Sequence, residues 1–327
     1  MYSVEELQQI INREIELRSK ELIEKPPFEL YIPVKYALEM GGKRLRPVLL
    51  LLSYNLFSDE ILNALPAALA IEVFHNFTLL HDDIMDKADV RRNQSTVHKN
   101  FGENNAILSG DAMAFLSYRF LMESKSERLV DVANLFTLTA IEVCEGQQYD
   151  MDFESLMKVT EAEYLEMIRL KTAVLLACSL KTGALLANVN ENVASLLYSF
   201  GINLGLAFQL QDDLLDTFGD KKMFGKKIGG DILANKKTFL LTKALGMTSK
   251  VQLNELTKWL NKKEFNPEEK ILAVTKIYNE IGIKELTKRK IEYYFNESSQ
   301  TLQEIPIDDY KKQQLILIGK QMLNRNH

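Results

Sequence analysis

Two acidic pentapeptides of the same pattern are the residues of this chain best suited to chemistry. Asp82–Asp86 reads D-D-I-M-D, and Asp212–Asp216, which begins 130 residues later, reads D-D-L-L-D. In a helix, the first and last aspartates of each pentapeptide stand about one turn apart on the same face. Mg²⁺ takes such carboxylate oxygens together with water and the phosphate oxygens of a substrate. The pattern therefore predicts two magnesium-binding faces that act on a phosphorylated substrate.

Each pentapeptide adjoins an apolar run, which reads F-H-N-F-T-L-L over residues 74–80 and L-A-F-Q-L over residues 206–210. Removing a carboxylate from water is costly unless a cation or a hydrogen-bond donor meets it. The alternative is two solvated acidic helix ends, but the repetition of the pattern favours a pair of metal sites.

Basic residues accompany both acidic motifs. Gly41–Pro47 reads G-G-K-R-L-R-P, and it places three cations behind two glycines that permit a close approach of the backbone. Alone, this segment fits a solvated basic loop equally well. Arg91 and Arg92 follow the first acidic motif, and the second is followed by lysines that include Lys226, Lys227, Lys236 and Lys237. This order indicates that metal and phosphate are recognised together on both sides of one cavity.

The composition narrows the class of protein. The chain has 327 residues, of which 46% are apolar and 26% charged, as in one large globular domain. A net charge of −5 without a lysine or arginine block argues against a nucleic-acid partner. Cys144 and Cys178 lack metal-ligand spacing, so a disulfide framework and a zinc site are not expected, and both thiols are predicted to be buried.

No segment has the pattern of a signal peptide or of 18 uninterrupted apolar residues, so no transmembrane segment is expected and we predict a cytoplasmic protein. No proline occurs from Ala67 to Asn266, and apolar residues recur there with the helical period. The sequence predicts an all-α fold, in which residues 1–327 form a single-domain antiparallel helix bundle.

Taken together, the motifs resemble those of the trans-isoprenyl diphosphate synthases of the polyprenyl synthetase family, and the resemblance spans nearly the whole chain. It rests on segments that occur in the family's order: Gly41–Pro47, Glu72–His75, Leu80–Asp86, Arg91–Arg92, Thr96–His98, Gly110–Asp111, Glu145–Asp150, Lys171–Ala173, Phe208–Asp216, Gly219–Asp220, Gly225–Lys226, Gly229–Asp231 and Asn235–Thr238. Their combination is far more specific than any one of them.

The resemblance implies an isoprenoid-synthase bundle with a deep central cavity. It implies that isopentenyl diphosphate condenses with an allylic diphosphate (dimethylallyl, geranyl or farnesyl), that three Mg²⁺ bind per active site, and that the protein is a homodimer. The implied metal ligands are Asp82, Asp86 and Asp212, supported by Asp83, Asp213 and Asp216. The implied contacts to the allylic diphosphate are Arg91, Lys171, Lys226 and Lys236. Isopentenyl diphosphate would bind Lys43, Arg46, His75 and Arg92, and the carbocation would be stabilised by Thr172 and Gln209.

Bulky residues before the first acidic motif are expected to limit the length of the product. Phe77 lies five residues before Asp82, or about 7.5 Å along a helix, and Phe74 lies one turn further. With Thr78, they are the predicted chain-length residues, because the resemblance implies that large side chains here mark short-chain synthases. We predict a C20 product first and a C15 product second, while without the motifs Phe77 would be an ordinary core aromatic.

Two positions depart from the usual pattern of the family, since Asn93 and Asn235 stand where glycine is common. Asparagine tolerates left-handed backbone better than most residues, so both loops are expected to keep their shape. Three other functions stay open, namely a longer-chain synthase, a class I terpene cyclase and a non-catalytic synthase subunit. The second D-D-x-x-D argues against a cyclase, and the retention of both acidic motifs argues against a non-catalytic subunit.

Overall fold

The computed structural model describes residues 1–219 and 228–323. The α-helices of these residues are α1 (Val4–Leu22), α2 (Phe28–Glu39), α3 (Leu45–Asn55), α4 (Leu65–Met85), α5 (Val97–Phe101), α6 (Glu103–Leu121), α7 (Leu129–Ser155), α8 (Glu161–Ile168), α9 (Val174–Leu186), α10 (Glu191–Phe218), α11 (Gly230–Leu233), α12 (Phe239–Met247), α13 (Lys250–Asn261), α14 (Pro267–Glu280), α15 (Ile283–Glu304) and α16 (Asp309–Leu323). Strands β1 (Val90–Arg91) and β2 (Gln94–Ser95) form a short antiparallel hairpin. The all-α prediction is confirmed.

The chain divides into two compact units, each built from three separate segments. The first contains Met1–Leu138, Cys178–Tyr198 and Ile305–Ile318, and the second contains Thr139–Ala177, Ser199–Glu304 and Gly319–His327. The first acidic motif belongs to the first unit, and the second acidic motif belongs to the second unit. That residues 1–327 form one domain stays a prediction.

The core of the first unit surrounds α3. Val48–Leu52 are completely inaccessible to solvent, so this part of the helix is buried on all its faces. Gly183 of α9 permits a close approach, because a Cβ there would lie 2.3 Å from the Leu50 carbonyl oxygen. The Ser53 hydroxyl also donates to the Leu180 carbonyl at 2.6 Å. These contacts fix the helix that begins within the basic segment.

In the second unit, α10 packs against the segment that carries Lys171 and Thr172. A Cβ at Gly205 would come within 2.5 Å of the Ala173 Cα atom. Among the described residues, α10 is the one helix long and apolar enough to span a membrane, and 61% of its apolar stretch is buried inside the protein. Such burial is typical of the core helix of a globular protein.

The two cysteines differ, and the prediction that both are buried is wrong for one of them. Cys178 on α9 is completely buried, whereas Cys144 on α7 is exposed. The apolar run around Cys144 belongs to a helix that also presents Leu138 and Ile141 to solvent. Hydrophobicity alone therefore misassigned the face of the helix on which this thiol lies.

The close packing of Gly205 generates a stability prediction. Gly205→Ala should lower the free energy of unfolding by about 1–3 kcal/mol, because the new methyl group overlaps Ala173. Gly246→Ala on α12 is the matched control, since nothing lies within 4 Å of its Cβ position. It should raise stability by about 0.5–1 kcal/mol through its helix propensity. Urea denaturation measures both, and equal effects would show that the contact is not tight.

Candidate active site

The first acidic motif lies at the carboxyl end of α4. The Asp86 N–H donates to the Asp82 carbonyl at 2.8 Å, so these two residues stand one helical turn apart, as the spacing predicts. Lys87 has a left-handed φ of 51° and ends the helix, and the next N–H, of Ala88, donates to the Asp83 carbonyl at 2.9 Å. Asp82 is half-buried and Asp86 is exposed, so both carboxylates are accessible at the helix end.

Asp83 is buried and pairs with Arg91. The Arg91 Nε lies 2.8 Å from both Asp83 carboxylate oxygens, and its Nη2 lies 2.7 Å from one of them. The same Nη2 lies 3.7 Å from Asp82. Burial raises the pKa of Asp83, and the Arg91 hydrogen bonds oppose that rise. Asp83 therefore orients a cation beside the accessible carboxylates.

A tight turn brings the second arginine to the glycine pair. Arg92 and Asn93 join β1 to β2 and have φ values of 51° and 61°, as a two-residue type I′ turn requires. The expected tolerance of Asn93 for left-handed backbone is confirmed. The Arg92 Nη1 donates to the Gly41 carbonyl, and a Cβ at Gly42 would lie 2.7 Å from the Arg92 Cζ. The absence of a side chain at Gly42 leaves room for the guanidinium.

Arg44 is the buried member of the basic segment. Its Nη1 lies 2.6 Å from Glu72, its Nη2 donates to the Leu38 carbonyl at 2.7 Å, and its Nε donates to Asn12 at 3.0 Å. Arg44 and Glu72 are 5% and 2% exposed. The interpretation of three phosphate-capturing cations in this segment is therefore wrong for Arg44, and for Lys43 and Arg46 it stays a prediction.

His75 lies beside one of these two cations, with its Nε2 3.1 Å from the Arg46 Nη1. A guanidinium only donates hydrogen bonds, so the histidine nitrogen must accept, which places the ring proton on Nδ1. Burial lowers the pKa of His75 well below its usual value, and the charge of the surrounding arginines, Arg46 first, lowers it further. His75 is therefore a neutral acceptor that orients Arg46.

Two of the three predicted chain-length residues, Phe74 and Phe77, are in aromatic contact along α4. The ring centres of Phe77 and Phe74 lie 5.4 Å apart. The ring centre of Phe74 also lies 5.2 Å from that of Phe136 on α7. Phe74 is buried, whereas Phe77 is half-buried. The Thr78 hydroxyl donates to the His75 carbonyl of its own helix at 2.8 Å. Of the three residues, Phe77 thus combines bulk with partial access.

The second acidic motif begins a chain of hydrogen bonds in the second unit. Asp213 is buried and accepts from the Tyr164 hydroxyl and, at 3.0 Å, from the Gln209 amide nitrogen. The Gln209 amide oxygen accepts from the Thr172 hydroxyl at 3.0 Å. Burial raises the pKa of Asp213 well above its usual value, and the Asp231 charge adds to the rise. These hydrogen bonds fix the orientation of the Gln209 amide, so that its oxygen faces the Thr172 hydroxyl.

Lys171 and Thr172 lie in a π-helical turn, Arg169–Ala173, between α8 and α9. The Lys171 ammonium lies 2.5 Å from the Asp150 carboxylate of α7. Gly146 permits this approach, because a Cβ there would lie 2.3 Å from the Lys171 backbone nitrogen. Turns of this kind are rare and are often found at functional sites.

The last aspartate of the second motif connects through backbone groups to Lys236. The Asp216 carboxylate accepts from the Asp231 N–H at 2.9 Å, and the Asp231 carbonyl accepts from the Lys236 N–H at 2.9 Å. Asn235 has a φ of 54°, so its expected left-handed tolerance is also confirmed. Lys226, another predicted contact, lies outside the described residues, as does Lys227.

The carboxylates of the first acidic motif fit a magnesium ion that also binds a substrate. Within residues 1–219 and 228–323, no group of three histidine, cysteine, aspartate or glutamate side chains forms a self-contained metal site. Mg²⁺ usually takes only one or two protein carboxylates and completes its shell with water and phosphate. Asp82 and Asp86, one turn apart at an accessible helix end, supply that donor set.

Three acidic or phenolic partners were missed by the sequence analysis. Asp150 and Asp231 occur within segments that carry the resemblance, but their partners Lys171 and Asp216 are distant in sequence. The sequence around Tyr164 did not indicate its role, because a tyrosine in an apolar helix can be a packing residue as readily as a hydrogen-bond donor.

A sequence profile described as polyprenyl synthetase matches residues 28–280, more than half of the chain. The chain belongs to the polyprenyl synthetase family. It is therefore a prenyltransferase. The chain is 37% identical to the geranylgeranyl diphosphate synthase of Methanosarcina mazei over 303 residues, which cover 92% of this chain and 91% of that protein.

Solved structures share the fold. A crystal structure of a geranylgeranyl pyrophosphate synthase superposes with a TM-score of 0.93 at 42% identity and covers 99% of each chain. A polyprenyl synthase from Caulobacter crescentus, complexed with calcium and isoprenyl diphosphate, superposes with a TM-score of 0.88 at 24% identity, covering 98% of this chain and 97% of that one. At that identity, the second structure supports the fold alone.

The buried pair of Arg44 and Glu72 generates a second stability prediction. Arg44→Met should lower the free energy of unfolding by about 3–5 kcal/mol, because it leaves the Glu72 carboxylate without its cation in the core. Lys20→Met is the matched control, since it breaks an exposed ion pair with Glu16, and no measurable change is expected. Urea denaturation of both variants makes the comparison. A loss as small as that of the control would contradict the assignment of Arg44 to the core.

Proposed function

We propose that this protein catalyses the Mg²⁺-dependent head-to-tail (1′-4) condensation of isopentenyl diphosphate with allylic diphosphates, and that its main product is geranylgeranyl diphosphate. The observation that carries the proposal is that each D-D-x-x-D motif is joined to a cationic residue. Asp83 pairs with the Arg91 guanidinium, and the Asp216 carboxylate connects through the Asp231 backbone to the backbone N–H of Lys236. The similarity to geranylgeranyl diphosphate synthases supports the product.

On this proposal, Asp82 and Asp86 from one motif and Asp212 from the other would hold three Mg²⁺ when the allylic diphosphate binds. The bound ions would neutralise the departing diphosphate and so weaken the allylic C–O bond. Asp83, Asp213 and Asp216 support the ligands through their hydrogen bonds.

The chain's own cations share this task. Arg91, Lys171, Lys226 and Lys236 bind the oxygens of the same diphosphate and stabilise the charge that develops as it departs. Arg91 and Lys171 are each oriented by a carboxylate, Asp83 and Asp150 respectively. Such pairing fixes the position of a long flexible side chain before the substrate arrives.

Isopentenyl diphosphate binds a different set of residues, Lys43, Arg46, His75 and Arg92. Two contacts support this assignment, because neutral His75 orients Arg46 and the Gly41 carbonyl orients Arg92. The guanidinium groups of the two arginines can each bind a phosphate through two N–H donors.

The reaction then proceeds in three bond changes. The allylic C–O bond breaks, and its electron pair leaves with the diphosphate, so that an allylic carbocation forms. The double bond of isopentenyl diphosphate attacks C1 of the cation and forms the new C–C bond. A proton is then lost from C2 of the isopentenyl unit to the released diphosphate as the new double bond forms. Thr172 and Gln209, whose side chains are hydrogen-bonded to each other at 3.0 Å, would stabilise the cation with their oxygen dipoles, whereas a carboxylate there would capture it covalently.

Two further expectations accompany the function. We propose a homodimer in the cytoplasm, and an exposed apolar row on α6 supports the dimer. Leu108, Phe115 and the C-cap residue Met122 recur every seven residues and are 58%, 76% and 52% exposed. A row of this kind on one helix face suits burial against a second copy.

The proposed function predicts the outcome of a direct assay. Purified protein with Mg²⁺, labelled isopentenyl diphosphate and dimethylallyl, geranyl or farnesyl diphosphate should give mainly a linear C20 alcohol after dephosphorylation, as sized by chromatography. A metal chelator should abolish turnover, and added Mg²⁺ should restore it. A main C15 product would favour a farnesyl diphosphate synthase. No incorporation with any primer would contradict the proposal and favour a cyclase or a non-catalytic subunit.

Phe77→Ala should lengthen the product by one or more C5 units, because it removes the half-buried ring that stands five residues before the first acidic motif. Phe74→Leu is a companion variant at the second predicted chain-length residue, and because Phe74 is buried, this change should also lower stability. Chromatography of the dephosphorylated products measures the change. An unchanged distribution for Phe77→Ala would contradict a floor at this residue.

A further inference from the structure

A lysine in the first turn of α14 is buried where a cation is costly. Lys270 is completely inaccessible to solvent, and among the described residues no carboxylate forms an ion pair with its ammonium. It stands four residues after the N-cap Asn266, near the positive end of the helix dipole. Burial without a counter-charge and an unfavourable dipole both disfavour a lysine here. The presence of a lysine here therefore indicates that its ammonium makes contacts that offset this cost.

The Lys270 ammonium makes three contacts. It donates to the Asn235 side-chain oxygen at 2.8 Å and to the Leu233 carbonyl at 3.2 Å. It also lies 4.2 Å from the ring centre of Phe265, the residue before the N-cap. An ammonium has three N–H donors, so these contacts can satisfy all of them.

These contacts converge on the loop that carries Lys236. Leu233 is the last residue of α11, so the ammonium meets the carbonyl end of that helix. Asn235 has a left-handed φ of 54°, and its amide nitrogen donates to the Leu260 carbonyl at 3.0 Å. Both ends of the Asn235 side chain are therefore fixed, directly before Lys236.

We propose that Lys270 is a positioning residue that fixes the conformation of Asn235 and thereby holds Lys236 in place for the allylic diphosphate. The inference rests on the proposed function, in which Lys236 binds that diphosphate. It also gives Asn235 a purpose, because a glycine there could adopt the same φ but could not connect Leu260 to Lys270.

Lys270→Met tests the inference, because it keeps a long side chain and removes the ammonium. The KM for the allylic diphosphate should rise about tenfold, as expected for a lost hydrogen bond to a charged group. The KM for isopentenyl diphosphate should not change. The midpoint of thermal unfolding should be equal or higher, because the buried unpaired charge is gone. A lower midpoint with unchanged KM values would show a merely structural role and overturn the proposal.

Two more variants sharpen the test. Asn235→Gly should raise the same KM, and the double variant should raise it by less than the two single effects combined, because both single variants remove the same Lys270–Asn235 hydrogen bond. Additive effects would overturn the proposal. Lys312→Met is the matched control for the loss of a buried lysine, since Lys312 is 6% exposed and ion-paired with Asp309 on α16. Both KM values should stay unchanged in this control.

A binding measurement separates this inference from the proposed function. Isothermal titration of inorganic diphosphate with Mg²⁺ should give about tenfold weaker binding to the Lys270→Met variant than to the unchanged protein. Equal binding would overturn the positioning role. If the unchanged protein turns over no isopentenyl diphosphate, the proposed function fails, while the titration still decides whether Lys270 positions a diphosphate contact.

Discussion

A carboxylate at the end of an apolar helix must meet a cation or a hydrogen-bond donor, and this constraint shapes both acidic motifs. In the first motif, Asp83 is buried and receives the Arg91 guanidinium. In the second, Asp213 is buried and receives donors from Tyr164 and Gln209. The inward aspartate of each motif is thus stabilised by protein donors, while Asp82 and Asp86 at the end of α4 stay accessible. The two roles within D-D-x-x-D follow from the helical register of its residues.

The helical class and much of the site could be predicted from the sequence, because these depend on local patterns. The proline-free apolar stretch predicts helices, and the acidic pentapeptide predicts one accessible helix face. The left-handed backbone of Asn93 was also predictable from the φ preference of asparagine, whereas the left-handed backbone of Arg92 was not. Predictions of this kind need no knowledge of which helix packs on which.

The errors and omissions concern contacts between segments that are distant in sequence. Arg44 has the pattern of one more cation in a phosphate loop, but Asn12, Leu38 and Glu72 surround it in the core. Cys144 lies in an apolar run, but on the exposed face of α7. In both cases the residue type occurs in buried and in exposed environments, and only the packing of neighbouring helices decides between them.

The π-helical turn at Arg169–Ala173 has a consequence for how related chains are aligned and how this one can be altered. A π turn holds one residue more than the α-helical turn it replaces, so it shifts the phase of all later side chains by about 100°. Lys171 and Thr172 thus stand at a phase break between α8 and α9. A related chain could lack the extra residue and still continue as one helix through this region. An alignment that forbids gaps inside helices would then pair the wrong residues. For protein engineering, the turn offers a position where one deletion rotates the side chains that follow it by about 100° and leaves them in the chain.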